Sequence, residues 1–269
     1  MERTQGPGGT YGGAERATGT SPNSRDGVGR WADAGRLRAA DRAMNPGARL
    51  VVLGKQGAGK GTQAVRLSRH YVVPHVATGD TFRAAVRSGS EFGQKARKFL
   101  DAGELVPDEI VIGMVQERLT RSDTTHRGFI LDGFPRTVHQ ADALIDFLSP
   151  VTLDLAINLE VDTEHVLSRL AGRRVCADCG ANYSVVDNPP RVPGICDVCG
   201  GDVVQRDDDT EAAIHRRLEL YERETSPLIM WFDERDLLTS VDGMGTPDEV
   251  TERLVQAVDG RKRRPPALA

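Results

Sequence analysis

The feature that most constrains this chain is a glycine-rich segment at residues 50–62, with the sequence LVVLGKQGAGKGT. Its first four residues are apolar, which predicts a strand buried on both faces, and residues 63–70 have the pattern of a helix. Glycine allows backbone conformations that are closed to residues with a Cβ atom, so successive N–H groups can converge on an anion at the start of that helix. Lys60 adds a positive charge. We therefore predict a phosphate loop at residues 54–62.

The end of this loop departs from the general phosphate-binding pattern. That pattern places Ser or Thr directly after the lysine, whereas Lys60 is followed by Gly61 and then by Thr62. A Gly-Lys-Gly-Thr ending resembles the loop of nucleoside monophosphate kinases, in which a phosphoryl group passes between two bound nucleotides. The alternative is a glycine-rich turn that binds nothing, and the flanking strand and helix argue against it.

Beyond the loop, short apolar runs alternate with segments of helical spacing. The predicted strands are 49–53, 72–76, 128–131, 153–159 and 237–241. The predicted helices include 108–120, 137–148, 163–173 and 211–224. This alternation predicts an α/β fold, in which helices cover both faces of a parallel sheet. Ligands of such sheets bind beyond the carboxyl ends of the strands, where the phosphate loop also lies.

The two ends of the chain differ in composition from the middle. Residues 1–43 are rich in Gly, Arg, Thr and Ser and have no apolar periodicity. We therefore expect residues 1–46 to be a disordered extension or, with Met44 as the true start, a misassigned segment. Residues 261–269 are a basic tail, for which we expect a solvated terminus.

The overall charge and hydropathy exclude some classes of protein. The formal net charge is −4, which argues against a general nucleic-acid binder because such proteins carry a basic surface. We find no apolar run in the sequence that is long enough to span a bilayer.

A second apolar run ends abruptly in charged residues. The sequence FILDGFPR places Asp132 and Arg136 just after a predicted strand. A carboxylate beside a phosphate loop can hold Mg²⁺ directly or through water, and an arginine can donate two N–H bonds to a phosphate. An Asp-Gly turn followed by Phe-Pro packing would explain Asp132 but not Arg136.

Further arginines lie in segments that are weaker signals individually. Arg83 ends the sequence TGDTFR, where a helix cap and a solvated arginine are the alternative interpretation. Arg169 and Arg173 are four residues apart, so they share a helical face, although cations also suit a helix C-terminus. Arg206 and Arg217 follow. If most of these arginines lie at one site, their combined positive charge exceeds what one triphosphate requires. Such a site would suit two phosphorylated ligands.

All four cysteines lie in one short segment, as Cys176-Ala-Asp-Cys179 and Cys196-Asp-Val-Cys199, each followed by glycine. Two such turns complete a tetrahedral zinc site with no open position, so a zinc ion there would be structural. Redox pairs are the alternative, which two matched copies disfavour. The surrounding segment, 172–209, is too short to form its own core, so metal should supply its fold.

In order and spacing, these motifs resemble adenylate kinase of the long bacterial type with a zinc-binding lid, over about residues 49–258. The resemblance implies a P-loop NTPase fold with a parallel five-stranded sheet, and a nucleoside monophosphate kinase domain at 47–260. Within it, 77–106 would be a helical AMP-binding insertion and 172–209 the zinc lid. The implied activity is reversible phosphoryl transfer from MgATP to AMP, giving two ADP. The implied cofactors are Mg²⁺ and structural Zn²⁺, and the implied protein is a cytoplasmic monomer that binds neither nucleic acid nor membranes.

The resemblance also implies a role for each matching residue. The implied ATP-binding residues are Gly57, Ala58, Gly59, Lys60, Gly61, Thr62, Arg173, Asn182, Tyr183 and Met244. The implied AMP-binding residues are Thr78, Arg83, Glu104, Leu105, Val106, Gly133, Phe134, Pro135, Arg136, Gln140, Arg206 and Arg217. The implied catalytic residues are Lys60, Asp132, Arg136, Arg173, Arg206 and Arg217, and the implied metal ligands are Cys176, Cys179, Cys196 and Cys199.

Some positions are informative about specificity. Thr78 is typical of relatives that select AMP, because those that take UMP or CMP tend to carry Ala there. Tyr183 would lie against adenine in the lid. Two positions depart from the family pattern: Gln56 stands where the family usually has Pro, and residues 241–247 differ from the usual adenine-contacting turn.

Two other kinds of protein remain as alternatives. A zinc-ribbon nucleic-acid binder with an ATPase core is disfavoured because residues 172–209 hold four basic residues against seven aspartates. A regulatory switch NTPase would hydrolyse a nucleotide slowly and would have no second nucleotide site.

Overall fold

The computed structural model of the protein describes residues 47–102, 104–185, 188–206 and 209–262. The predicted N-terminal extension and most of the basic tail therefore lie outside the described residues. Among the helices of the described residues, none combines the length and the apolar character that crossing a membrane requires.

Five parallel strands form the central sheet, which confirms the predicted fold class. The strands of the whole fold, in chain order, are β1 (Ala48–Leu53), β2 (His75–Ala77), β3 (Gly128–Asp132), β4 (Leu155–Glu160), β5 (Arg173–Cys176), β6 (Asn182–Ser184), β7 (Val203–Val204) and β8 (Leu238–Asp242). The central sheet has the order β2-β3-β1-β4-β8, and β5 to β7 form a separate antiparallel sheet. The strand that leads into the phosphate loop is therefore central.

Helices make up most of the remaining described residues. They are α1 (Lys60–Tyr71), α2 (Thr78–Arg87), α3 (Glu91–Ala102), α4 (Asp108–Leu119), α5 (Ser122–Thr125), α6 (Val138–Leu148), α7 (Thr163–Gly172), α8 (Glu211–Leu220), α9 (Pro227–Asp233) and α10 (Pro247–Lys262). A single π-helical turn, Tyr221–Thr225, follows α8. The predicted helix 211–224 thus changes its winding after Leu220.

The core has two halves, one on each face of the sheet. Successive residues of β1 point to opposite faces, so Val51 packs in one cluster with Leu144 and Phe232. Val52 packs in the other cluster with Leu67, on α1. Because both faces are covered, β1 is apolar from Leu50 to Leu53, and this accounts for that apolar run in the sequence.

The predicted strand 72–76 is wrong at its start. Val72 instead ends α1 in the left-handed conformation, and the N–H of Val73 still bonds to the carbonyl of Ser68 on that helix. The strand therefore begins only at His75. The β-branched residues predicted a strand here, but the end of the helix determines their conformation.

The zinc-lid segment contains a small three-stranded sheet with little apolar interior. Its buried cluster consists of Cys176, Tyr183 and Cys196, with Ala181 and Val203 packed against them. Other apolar side chains of this segment, such as Val185 and Ile195, are about half exposed. A core of this size cannot order the segment, as the sequence predicted.

Candidate active site

The phosphate loop joins the end of β1 to the first residue of α1. Lys60 begins that helix, and its Nζ donates to the carbonyl oxygens of Gly54 (2.7 Å) and Lys55 (2.8 Å). The side chain thereby curls back over the loop. The first N–H groups of a helix have no partner within it, so an anion placed here meets both those donors and the ammonium group.

Helix α7 packs directly on the loop at Gly57. The residue has a φ of +84°, and a Cβ atom there would lie 2.8 Å from Leu170 Cγ and 3.1 Å from the carbonyl oxygen of Val166. Glycine is therefore required both by the backbone conformation and by the close approach of the helix. This contact connects the loop to the helix that leads into the lid.

Asp132 ends β3 next to the first turn of α1. Its Oδ2 lies 3.4 Å from His75 Nε2, and a Cβ atom at Gly61 would lie 3.3 Å from the same oxygen. A side chain at position 61 would therefore crowd Asp132, which explains why glycine follows Lys60 here. Burial alone would raise the pKa of Asp132, but the contact with His75 and the charges of Lys60 and Arg136 outweigh it and lower that pKa.

Burial also affects Lys60. Desolvation lowers the pKa of Lys60 to about 8, with Arg136 and Arg173 contributing in the same direction and Asp132 opposing them. The positive charges of Lys60, Arg136 and Arg173, which come from three parts of the chain, therefore repel one another. Such a cluster of cations favours the binding of an anionic ligand.

A second group of polar side chains, a candidate anion site, lies after β3. Thr78 is buried, and its hydroxyl donates to the carbonyl oxygen of Gly133 (2.9 Å). The Nε of Arg136 donates to the same oxygen (2.9 Å), while the Arg136 N–H donates to Gln140 Oε1 (2.8 Å). These four predicted residues are thus brought together.

Asp108 supports this second site and was not identified from the sequence. Its carboxylate accepts hydrogen bonds from Gln140 Nε2 (2.7 Å) and Thr137 Oγ1 (2.6 Å). A carboxylate in the first turn of a helix is ordinarily attributed to the helix dipole, so its sequence position gave no specific signal.

The other predicted AMP-side residues occupy different environments. Arg83 forms an ion pair with Asp80. The side chains of Val106 and Phe134 are buried in the core beneath the site. Pro135 is also buried, whereas Glu104 is exposed and Leu105 is partly exposed. Contacts of Val106 and Phe134 with a ligand would therefore come from the backbone.

A further cluster joins the lid to the phosphate loop. Arg173 donates from Nε to Asp209 Oδ2 (2.6 Å) and from Nη2 to Asp209 Oδ1, and Arg217 Nη1 lies 3.9 Å from the same Oδ1. Gln56 of the loop lies against both arginines. Arg217 also donates to the carbonyl oxygen of Leu100 at the end of α3 (3.3 Å). Asp209 and Gln56 were not predicted as site residues.

Arg206 adjoins that cluster through its backbone, because its carbonyl oxygen accepts from the Asp209 N–H (3.0 Å). Its Nη2 donates to Asn182 Oδ1 (3.2 Å), so both residues lie together in the lid segment. In this conformation the Arg206 side chain therefore contacts Asn182, which the resemblance assigns to ATP, although Arg206 itself is implied to bind AMP.

Met244 lies in a turn that Arg169 links to the phosphate loop. Arg169 Nη1 donates to the carbonyl oxygen of Ala58 and Nη2 to that of Gly243, both at 3.4 Å. The sequence contained one signal for Arg169, its spacing of four residues from Arg173, but no site role was assigned to it. The guanidinium group therefore spans from the phosphate loop to the residue before Met244.

Tyr183 lies largely inside the lid segment in this structure. Only 7% of the residue is exposed. Its hydroxyl accepts from the N–H of Asp197 (2.8 Å) and lies 3.3 Å from Cys196 Sγ. In this structure the Tyr183 hydroxyl group therefore faces the interior of the lid segment, and contact of Tyr183 with adenine stays a prediction.

The four cysteines converge at one point, and their ligand atoms all lie within 4.8 Å of one another. Cys176 and Cys199 are 3.4 Å apart at sulfur, Cys179 and Cys196 are 3.6 Å apart, and none forms a disulfide. A tetrahedral zinc ion with bonds of about 2.3 Å separates its sulfur ligands by about 3.8 Å, so the set is suited to zinc.

The two cysteine turns have the same backbone geometry. The N–H of Gly180 bonds to the carbonyl of Cys176, and the N–H of Gly200 bonds to that of Cys196. Both glycines have positive φ, +74° and +78°. A left-handed glycine lets the chain leave each turn, as the identical sequence spacing predicted.

Comparisons with known proteins agree with this site. The family model described as adenylate kinase matches residues 52–237. An adenylate kinase of Geotalea daltonii is 48% identical over 213 residues, which cover 78% of this chain and 99% of the relative. Another, of Thermodesulfovibrio yellowstonii, is 52% identical over 204 residues, which cover 75% of this chain and 94% of the relative. A third, of Acetivibrio thermocellus, is 46% identical over 216 residues, which cover 80% of this chain and 99% of the relative.

The family model matches more than half of the chain, and the matching relatives are covered almost from end to end. This chain therefore belongs to the adenylate kinase family.

Proposed function

We propose that the chain transfers a phosphoryl group reversibly between MgATP and AMP, in the cleft where β1 and β3 end. One observation carries this proposal: Asp132 adjoins both sites. A Cβ atom at Gly61 of the phosphate loop would lie 3.3 Å from Asp132 Oδ2, and Thr78 Oγ1 of the second site lies 3.4 Å from the Asp132 carbonyl oxygen. Two anion sites that both adjoin Asp132 are close enough for two phosphorylated ligands to meet.

On the donor side, we assign the ATP phosphates to the loop. Its backbone N–H groups from Gly57 to Thr62 would surround the phosphates, and Lys60 would leave its carbonyl partners to contact them. Arg173 would neutralise the outer phosphate oxygens. Arg169 and the turn at Met244 would border the adenine.

On the acceptor side, we assign AMP to the second anion site. Arg136 and Arg83 would hold its phosphate, and Thr78 and Gln140 would border the base. Arg217 would contribute charge to the group in transfer, and Arg206 would join it when the lid closes. AMP selectivity through Thr78 rests on the resemblance and on its buried position beside Gly133.

Mg²⁺ would be held at Asp132, directly or through water. The lowered pKa of Asp132 keeps this carboxylate ionised, which suits a hard divalent cation. When bound, the ion would neutralise charge on the ATP phosphates.

The protein itself contributes positioning and charge. Phosphoryl transfer needs little covalent help from an enzyme, which accounts for a site rich in arginines. Transfer to AMP must also be faster than transfer to water. We therefore propose that residues 172–209 act as a lid that closes over both nucleotides and expels solvent.

Zinc, in this proposal, has a structural role only. Four thiolates would fill its coordination sphere, so the ion could neither activate water nor bind phosphate. Its binding would hold together a lid whose buried cluster is small.

The test is AMP-dependent formation of ADP. The enzyme should form ADP from MgATP only when AMP is added, and Lys60→Met should abolish that formation. ATP hydrolysis at the same rate without AMP would instead favour a nucleotide hydrolase. We also propose that the protein is a cytoplasmic monomer with no nucleic-acid or membrane partner. Light scattering on the purified protein tests the oligomeric state.

A further inference from the structure

Gln56 brings a neutral hydrogen-bond acceptor from the phosphate loop to two arginines of other segments. With its amide oxygen toward them, it accepts from Arg173 Nη2 (3.0 Å) and from Arg217 Nη1 (3.1 Å). Neither arginine is close to Gln56 in the sequence, and the three side chains meet only because the loop, β5 and α8 converge.

This orientation of the amide is the favourable one. The opposite orientation gives a single bond from Gln56 Nε2 to Asp209 Oδ1 at 3.3 Å. It would also direct the amide's donors at the donors of two guanidinium groups. Two hydrogen bonds from charged donors outweigh both the one long bond and the 3.3 Å approach of the amide oxygen to Asp209 Oδ1, so we assign the oxygen to the side of the arginines.

Both arginines have further partners, which occupy only some of their N–H groups. Asp209 binds Arg173 at two points, and the carbonyl oxygen of Leu100 accepts from Arg217. A guanidinium group has five N–H donors, so bonds to Gln56 leave others available for phosphate oxygens. Since the amide is neutral, it fixes the two groups without cancelling their charge.

We propose that Gln56 is a positioning residue, which holds the guanidinium groups of Arg173 and Arg217 beside the phosphate loop for the phosphoryl group in transfer. The inference rests on the proposed roles of those two arginines. A residue without a side-chain acceptor at position 56, such as proline, could not make these contacts. Gln56 therefore links the phosphate loop, the lid and α8 in this chain.

The first test is Gln56→Met, which preserves side-chain length and removes the acceptor. Misplaced arginines would stabilise the transition state less, so we expect kcat to fall about tenfold. The KM values for MgATP and AMP should change less than about threefold, because backbone donors and Arg136 still bind the ground-state phosphates. A loop that was merely loosened would instead raise the KM for MgATP.

Lys55→Met is the matched control on the same loop. The Lys55 ammonium group contacts Thr163 Oγ1 (2.8 Å) and Glu222 (3.2 Å), not the two arginines. The Lys55→Met variant should therefore have a kcat within about twofold of that of the unaltered enzyme. An equal loss of kcat in both variants would show that any change in this loop has the same effect, and would overturn the proposal.

Gln56→Glu is the conservative variant, which keeps an oxygen acceptor of the same reach. It should retain more of kcat than the Met variant, while its charge should raise the KM for MgATP by repelling the polyphosphate. Equal kcat values for the Glu and Met variants would mean that the acceptor has no role. If Gln56→Met does not fold, judged by its melting curve, Gln56→Ala takes its place.

A double-mutant cycle with Arg217→Lys tests the contact itself. If Gln56 acts through Arg217, removing its acceptor should cost less in the Lys background than in the unaltered enzyme. Additive losses in kcat would overturn the proposal.

The activity of the unaltered enzyme distinguishes failure of the proposed function from failure of the inference about Gln56. If it forms no ADP from ATP and AMP, the proposed function fails, whereas normal turnover with a normal Gln56→Met variant refutes only this inference.

Discussion

Arg173 and Asp209 form a two-point ion pair across the base of the lid, with 2.6 Å between Arg173 Nε and Asp209 Oδ2. The Asp209 side chain is fully buried, and that of Arg173 is 18% exposed. Arg173 is the first residue of β5, and Asp209 comes just before α8. The pair therefore ties together the two chain segments by which the lid is joined to the rest of the protein.

Asp209→Asn should destabilise the protein markedly. The change leaves Arg173 and Arg217 close together without a buried carboxylate, and loss of one partner of a buried ion pair costs about 3 kcal/mol. For a protein of this size we expect the melting temperature to fall by roughly 6–12 °C, measured by calorimetry.

Asp80→Asn is the matched control for that measurement. Its carboxylate also pairs with an arginine, Arg83, but is 59% exposed. An exposed pair contributes about 0–1 kcal/mol, so this variant should melt close to the unaltered protein. Equal small shifts in both variants would contradict the importance of the Arg173–Asp209 pair.

Lys60→Met and Arg136→Ala should each reduce turnover at least about a hundredfold, because each removes a charge contact of about 3 kcal/mol from the transition state. Both variants should fold, as circular dichroism can check. Arg118→Ala, which removes an ion pair with the exposed Asp123, should turn over normally. Normal turnover of either Lys60→Met or Arg136→Ala would remove that residue from the catalytic set.

The parts of this site that follow from local sequence could be predicted. The apolar run of β1, the glycines of the loop and the abrupt end of β3 at Asp132 are all short-range patterns, and the structure places each at the same edge of the sheet. The cysteine turns are also local, since each Cys-x-x-Cys-Gly specifies its own geometry.

Contacts between distant segments could not be predicted in this way. Asp209 reads as one of a run of aspartates, and its burial against Arg173 depends on how the lid meets the loop. Gln56 was noted only as a departure from proline. The contact of Tyr183 with Cys196 could not be predicted either, because the two residues come from different parts of the lid segment.

The affinity for MgATP should depend on pH through Lys60. Burial lowers the pKa of Lys60 to about 8 in the ligand-free enzyme, and a bound polyphosphate favours the protonated form and raises that pKa again. Binding should therefore be strongest below pH 8 and should weaken by up to about tenfold per unit above it, with proton uptake. Isothermal titration calorimetry between pH 7 and 9.5 measures this.

The control for that titration is Lys60→Met, whose affinity should be weak and nearly independent of pH over the same range. An unaltered enzyme with constant affinity up to pH 9.5 would show that the Lys60 ammonium group is already fully protonated without ligand, contrary to the prediction.

Zinc should be present at one ion per chain and should stabilise the lid. Cys196→Ser should weaken zinc retention and lower the unfolding temperature of the lid, because zinc binding contributes about 10–16 kcal/mol in isolated zinc-finger peptides. AMP affinity should remain largely unchanged, since Thr78, Arg83 and Arg136 lie outside the lid. Elemental analysis and calorimetry measure the three quantities.

Val198→Ser is the control in the same turn, because Val198 is 43% exposed and contributes no thiolate. It should retain zinc. Purified protein that contains no zinc but has a normally stable lid would contradict the structural role, and the cysteines would then have to be interpreted as redox pairs.

The most direct test of the account follows the phosphoryl group itself. With ATP labelled at the γ-phosphate and unlabelled AMP, the label should appear as the β-phosphate of ADP formed from AMP, with two ADP made for each AMP consumed. GMP, CMP and UMP in place of AMP should accept far less label. Label released mainly as inorganic phosphate, at a rate that AMP does not change, would contradict transfer between two bound nucleotides.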